Sequence, residues 1–272
     1  MPPWLPERTT GPTPVHFAGD RHLKPGDIDL LTACVKAGMP EGDGPAPVPP
    51  TYTADWQMGT PDLIVEMPAA VPVPASGTDQ FINFILPVAV TQTRWIRALE
   101  IQPGAGALVH HANLILDRTA SLRAQHAGTW QHGIPGMDFQ VDSGDAFDPD
   151  STFLFWKPDS TALIEPPGMP WRLDPGNDLI RNMHLKPTGK PEQMRARVGL
   201  YFTPTPATAH PMLLKLEHDA ALDIPAGDSN FPVTDELTLP SPAICSAFTL
   251  TPTIFAARCR AGPPCPTPST SR

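Results

Sequence analysis

The chain has 272 residues, enough for one large domain or two modest ones. A net charge of −9, an acidic pI and the lack of a basic patch argue against a nucleic-acid partner. No apolar run reaches the length of a membrane span, and the opening residues MPPWLPERTT carry neither the charged nor the apolar region of a signal peptide. Prolines and glycines make up roughly a fifth of the chain. The prolines are spread between β-like runs, the pattern of an all-β protein with many turns.

In chain order, the first strong signal is helical: LKPGDIDLLTACVKAGMP, residues 23–40. Pro25 suits the first helical position, and Asp27 favours the positive N-terminal end. Leu23 and Ile28 can form a hydrophobic staple, although Lys24 is a poor N-cap. Ile28, Leu31 and Val35 share a face, Gly38 fits the C-cap and Pro40 blocks continuation. A proline-rich extended linker follows, residues 44–60.

From Pro61 to about Leu239 the signal is β. DLIVEM, FINFILPVAV, RWIRALEI, ALVHHANLIL, STFLFWK, TALIE, DLIRNMHLK, ARVGLYFT and MLLKLEH are short apolar runs. Turn sequences such as PGAG, DPGN, PTGK and PAGD separate several of them. Strands at this spacing predict a sandwich, jelly roll or barrel. The tail after Leu239 is poor in acidic residues, rich in Pro, Thr, Ala and Cys, and breaks this rhythm. Composition alone reads it as a disordered extension.

Cysteine usage adds little. Cys34 stands alone, and Cys245, Cys259 and Cys265 crowd the last thirty residues with no CxxC or zinc-site spacing. The acidic loop containing Asp138, Asp142, Asp145, Asp148 and Asp150 lacks the glycine and distal glutamate of an EF-hand. No nucleophile elbow, P-loop or dinucleotide fingerprint is present.

The histidines carry more chemistry. His110 and His111 are adjacent in one predicted strand. His184 lies on another, sharing a face with Asn182 and Lys186, while Leu179, Met183 and Leu185 take the apolar face. Neutral imidazole suits copper and zinc, and three histidines from two strands can make a site with an open position. The alternative is that one of the pair packs inward on a hydrogen bond while the other is solvated. Neighbouring strand residues point to opposite faces, so a shared metal requires a local bulge, twist or strand end at His110–His111. His126 and His132 read as loop residues, and His16, His22, His210 and His218 as surface or strand-end residues. Met183 reads as core.

The combination RWIRALEIQPGAGALVHHANLIL and LIRNMHLKPTGKPEQMRARVGLYF resembles the copper type II, ascorbate-dependent monooxygenases, the peptidylglycine α-hydroxylating and dopamine β-monooxygenase-like family. The closer likeness is to bacterial forms fused to a c-type cytochrome domain. The resemblance implies a mainly β fold. It consists of a jelly-roll β-sandwich with a short N-terminal helical remnant and an incomplete second β domain. His110, His111 and His184 fall on the ligands of the electron-storing copper. Residues 1–43 resemble the end of the cytochrome domain, with Met1 at the axial haem-ligand position. No haem-attachment motif is present, so no haem is expected.

The resemblance divides the rest into the linker 44–60, the copper-binding sandwich 61–205, the first strands of a second sandwich 206–239 and an aberrant tail 240–272. The family's second copper sits on an H-x-H pair and a methionine, and that motif is absent from the tail. A neighbouring reading frame through Thr249 to Phe255 can encode Tyr-Pro-His-Ala-His-Tyr-Leu, so the tail is expected to be a frameshift product. The family reaction is C–H hydroxylation with O2 and a small-molecule reductant such as ascorbate, in a periplasmic or extracytoplasmic setting. With one copper site of two, the chain as written is expected to bind copper without hydroxylating. A non-catalytic copper-binding or electron-transfer sandwich and a metal-free structural fragment are the alternatives.

Overall fold

The computed structural model describes residues 23–24, 26–46, 48–49, 55–137, 141, 152–158, 160–210 and 225–228. The chain divides into two units, residues 1–52 and 53–272. In the first, helix α1 spans Asp27–Lys36. It begins after the expected start: Gly26 is the N-cap with φ 92°, and Pro25 lies outside the described residues. The Lys24 amide donates to Asp27 Oδ2 at 2.6 Å, which ties down the entry. At the other end Gly38 adopts φ 79°, and the amides of Gly38 and Met39 donate to Val35 and Cys34 carbonyls, as the expected glycine stop requires. Leu23 and Ile28 are both exposed, so the expected staple buries neither.

The second unit is built from short strands: β1 (Leu63–Glu66), β2 (Val71–Val73), β3 (Gln80–Pro87), β4 (Arg94–Gln102) and β5 (Val109–Asp117). A short helix, α2 (Ser121–Gln125), follows. Then come β6 (Ile134–Pro135), β7 (Phe153–Trp156), β8 (Leu163–Ile164), β9 (Trp171–Leu173), β10 (Asp178–Leu185), β11 (Glu192–Met194) and β12 (Arg197–Thr203). One sheet runs β1-β12-β4-β8, with β9 also on β4; the other runs β6-β3-β10-β5-β7; β2 and β11 make a separate pair. Every pairing between these strands is antiparallel. The expected β-sandwich is therefore present. Among the described residues no helix is long and apolar enough to cross a membrane.

The main core lies between the two sheets. Val65, Ile96, Leu99 and Leu200 from one meet Phe84, Leu86, Leu114, Leu179 and Met183 from the other. Met183 is fully buried there, as its alternation with Leu179 and Leu185 predicts. The packed unit extends ahead of Pro61 into the expected linker. Trp56 is buried beside Gly199, where an added Cβ would come within 2.8 Å of the indole, and Tyr201 Oη donates to the Gly59 carbonyl at 2.8 Å. Proline content marked 44–60 as extended, but an indole on a glycine strand position is a long-range contact that composition does not reveal.

The outer face of the β3-β10-β5 sheet positions the candidate site. Register stacks like on like across the three strands. Asp178 pairs with Asp117, Ile180 with Ile85 and Ile115, Asn182 with Asn83 and Asn113, and His184 with Phe81 and His111. The isoleucine row packs with Leu122 of α2 and Ile134 of β6 in a second small core. Asp117 holds α2 in place by accepting from the Thr119 and Leu122 amides, each at 3.1 Å. The asparagine row is closed by the Gly136 carbonyl, which accepts from Asn83 Nδ2 at 3.2 Å and Asn182 Nδ2 at 3.1 Å. The histidine row follows next, at the less covered end. The strand expected at MLLKLEH, the rest of the expected second β domain beyond 210 apart from residues 225–228, and the tail 240–272 lie outside the described residues.

Candidate metal centre

β5 and β10 pair residue for residue from Asp117–Asp178 to His111–His184, and the next pair is Val109–Leu185. His110 is therefore an extra residue, a β-bulge at the pair. A bulge opposes two residues to one on the partner strand and re-aims the side chain that would otherwise point away. Val109 and Ala112 on either side stay buried, while His110 and His111 both turn toward His184. This is the irregularity that a shared metal requires of two adjacent strand histidines.

Three imidazole nitrogens converge there. His110 Nδ1 is 3.2 Å from His111 Nδ1 and 3.1 Å from His184 Nδ1. Among the described residues these three form the group able to hold a metal ion, with ligand atoms all within 4.8 Å of one another. Neighbouring nitrogens bound to one first-row ion at ~2.0–2.1 Å stand roughly 3 Å apart, and the two separations from His110 match that spacing. His184 contacts the other two rings edge-on, with centroids 4.8 and 4.9 Å away.

Neighbours fix the rings. Phe81, across the ladder from His184, stacks on it with centroids 4.2 Å apart and planes 19° from parallel. Phe155 of β7 lies 5.4 Å from the His111 ring. His184 Nε2, the nitrogen turned away from the cluster, is 2.8 Å from Asp79 Oδ2. His110 is exposed, and His111 and His184 are half-buried, so the cluster has one open side and two apolar walls.

Burial and the neighbouring imidazoles disfavour a proton on either member of the pair. Burial, then the positive potential of His184 and His110, pushes the His111 imidazole down to about 4. His110 is also lowered, first by burial and then by His184. An imidazole ligates through a free lone pair, so a site that disfavours protonation favours a cation bound in the proton's place.

The other histidines do not join this group. His126 ends α2, and His132 is exposed in a 3-10 turn at Trp130–His132. Met1, His16, His22 and His218 lie outside the described residues. The sequence reading missed Asp79, Phe81 and Phe155. Asp79, Phe81 and Asn83 alternate along the entry to β3, but only the pairing of β3 with β10 reveals that this alternation faces His184.

No family model, curated protein or solved structure matches the chain.

Proposed function

We propose that the chain is a copper-binding β-sandwich whose His110, His111 and His184 hold one redox-active ion. The observation that supports it is the meeting of three Nδ1 atoms at a β-bulge, 3.1 and 3.2 Å apart. Imidazole donors suit copper, and copper held there would supply a one-electron couple between Cu(I) and Cu(II). The sequence resemblance to the electron-storing half of the copper type II monooxygenases favours copper over zinc.

The chain's own residues account for binding and poise. The bulge aims two imidazoles, and β10 brings the third. Phe81 and Phe155 lower the local polarity, which favours the less charged metal state. The exposed His110 edge leaves the centre open to a small reductant of the ascorbate kind. Hydroxylation belongs to the full two-copper reaction, and the H-x-H site it needs is expected in the reading frame beside the tail, outside the described residues. The reading is therefore electron storage without hydroxylation.

The test is copper titration of the purified chain, followed by ascorbate reduction monitored through the Cu(II) electron paramagnetic resonance signal. One equivalent bound, its signal bleached by ascorbate, and sharp loss of binding in His110→Ala, His111→Ala and His184→Ala are expected. Undiminished stoichiometry in all three variants rejects the site. Uptake of no copper by the wild type leaves a structural sandwich.

A further inference from the structure

We propose that Asp79 is the positioning residue of this centre, holding the His184 proton on Nε2 and so presenting an unprotonated Nδ1 to the metal. The inference rests on the metal-binding reading above and deepens it.

A carboxylate accepts hydrogen bonds and donates none when ionised. With Asp79 Oδ2 2.8 Å from His184 Nε2, the ring's proton belongs on Nε2, and the lone pair of a neutral ring is left on Nδ1. That atom points at His110 Nδ1, 3.1 Å away. The ring has little freedom to turn otherwise. Its face is held by Phe81 and its outer edge by Asp79, which precedes Phe81 by two residues at the entry to β3. Backbone alternation brings both onto the His184 side of the sheet.

Among the described residues, Asp79 is the one carboxylate within ion-pairing distance of the three rings. The pair it serves is the long-range one. His110 and His111 are placed by a single local bulge, whereas His184 comes from 74 positions away. A carboxylate behind a ligating imidazole fixes its tautomer and raises its basicity. It also places a negative charge close to an ion otherwise held by neutral donors.

The competing description is a surface ion pair, since the Asp79 side chain is 43% exposed. In that case His184 is an imidazolium carrying protons on both nitrogens, with nothing to offer a metal. Nitrogen-15 shifts of the imidazoles in the metal-free full chain, at mildly alkaline pH, separate the two. The expected result is a neutral His184 ring protonated on Nε2, with mixed tautomers in Asp79→Ala. Copper affinity, measured by chelator competition, should fall by roughly 10–100-fold in Asp79→Ala and recover in part in Asp79→Glu. A wild-type ring protonated on Nδ1 or on both nitrogens overturns the proposal, as does Asp79→Ala copper affinity equal to wild type. A wild type that takes up no copper rejects the centre and this role together. A wild type that binds copper through the three histidines while Asp79→Ala changes nothing rejects the role alone.

Discussion

His110 Nδ1 and His111 Nδ1 stand 3.2 Å apart although the residues are neighbours in one strand. The bulge reconciles the two facts, because Val109 and His111 already face Leu185 and His184 in register. Excising His110 would join two correctly paired residues into a regular ladder. The excised chain should fold, with a melting temperature changed by no more than about 4 °C, the shift of roughly 1 kcal/mol in a domain of this size. Its copper affinity should fall by more than the roughly 10–100-fold typical of losing a residue behind a ligand. Thermal melting and chelator competition check the two halves separately. A collapse in stability would show that the bulge serves the fold and not the site.

The His111 imidazole has an ordinary value of 6.5 and is lowered to about 4 in the folded chain, chiefly by burial. Between those values the unfolded chain takes up a proton that the folded chain refuses. Stability of the metal-free protein should therefore rise with pH across that window, fall as pH drops through it and level off below about 4. His111→Leu removes this proton and should flatten the slope of melting temperature against pH between about 4 and 6.5. An unchanged slope would place the titration elsewhere. The same refusal of protons should let the wild type keep copper at pH values where an exposed histidine would already be protonated.

The architecture was legible because alternation is local. Leu179, Met183 and Leu185 against Asn182 and His184 distinguish the core face of β10 from sequence alone. The histidine pair was legible as a conditional: adjacent residues on one metal demand an irregular strand, and β5 has one. What sequence could not supply was lateral order. Placing β3 beside β10 stacks Phe81 on His184 and brings Asp79 to Nε2, and nothing in FINFILPVAV names its neighbour. Short strands such as β2, β6, β9 and β11 were also missed. At two or three residues each they are too short to show a period and are defined by their partners.

The asparagine row separates support of the sheet from binding at the site. Asn182 Nδ2 donates to Asn83 Oδ1 and to the Gly136 carbonyl, both at 3.1 Å. Asn182→Leu would remove both of these hydrogen bonds. The expected cost is about 1–3 kcal/mol, at roughly 0.5–1.5 kcal/mol for each bond lost, read as a lower denaturation midpoint. Copper stoichiometry should stay at that of the wild type, because the row holds β6 against β3 and contributes no ligand. A neutral substitution would show that the amides exchange their bonds for water at no cost.

Arg181 presents the opposite problem on the opposite face. It lies between Leu179 and Met183 on the core side, fully buried, and Nε and both terminal nitrogens have no hydrogen-bond partner among the described residues. Its closest compensation is the Trp156 ring, 5.9 Å from the guanidinium carbon. A cation–π contact of this kind is worth about 0.5–2 kcal/mol, whereas removing a charge from water costs several kcal/mol. Burial pushes the guanidinium down to about 9, so at neutral pH it is still charged and the fold carries the full penalty. The penalty is relieved only as pH rises above about 9, toward the ordinary arginine range. Arg181→Met keeps much of the volume and removes the charge. It should stabilise the chain by about 1–4 kcal/mol, as replacements of buried charges by apolar side chains often do, and raise the melting temperature by a few degrees per kcal/mol. Copper affinity should not move, since the side chain points away from His184. A destabilised Arg181→Met variant would mean that the guanidinium meets an anion in the folded protein, and chloride or acetate dependence of the wild-type melting temperature would then identify a bound ion as that partner.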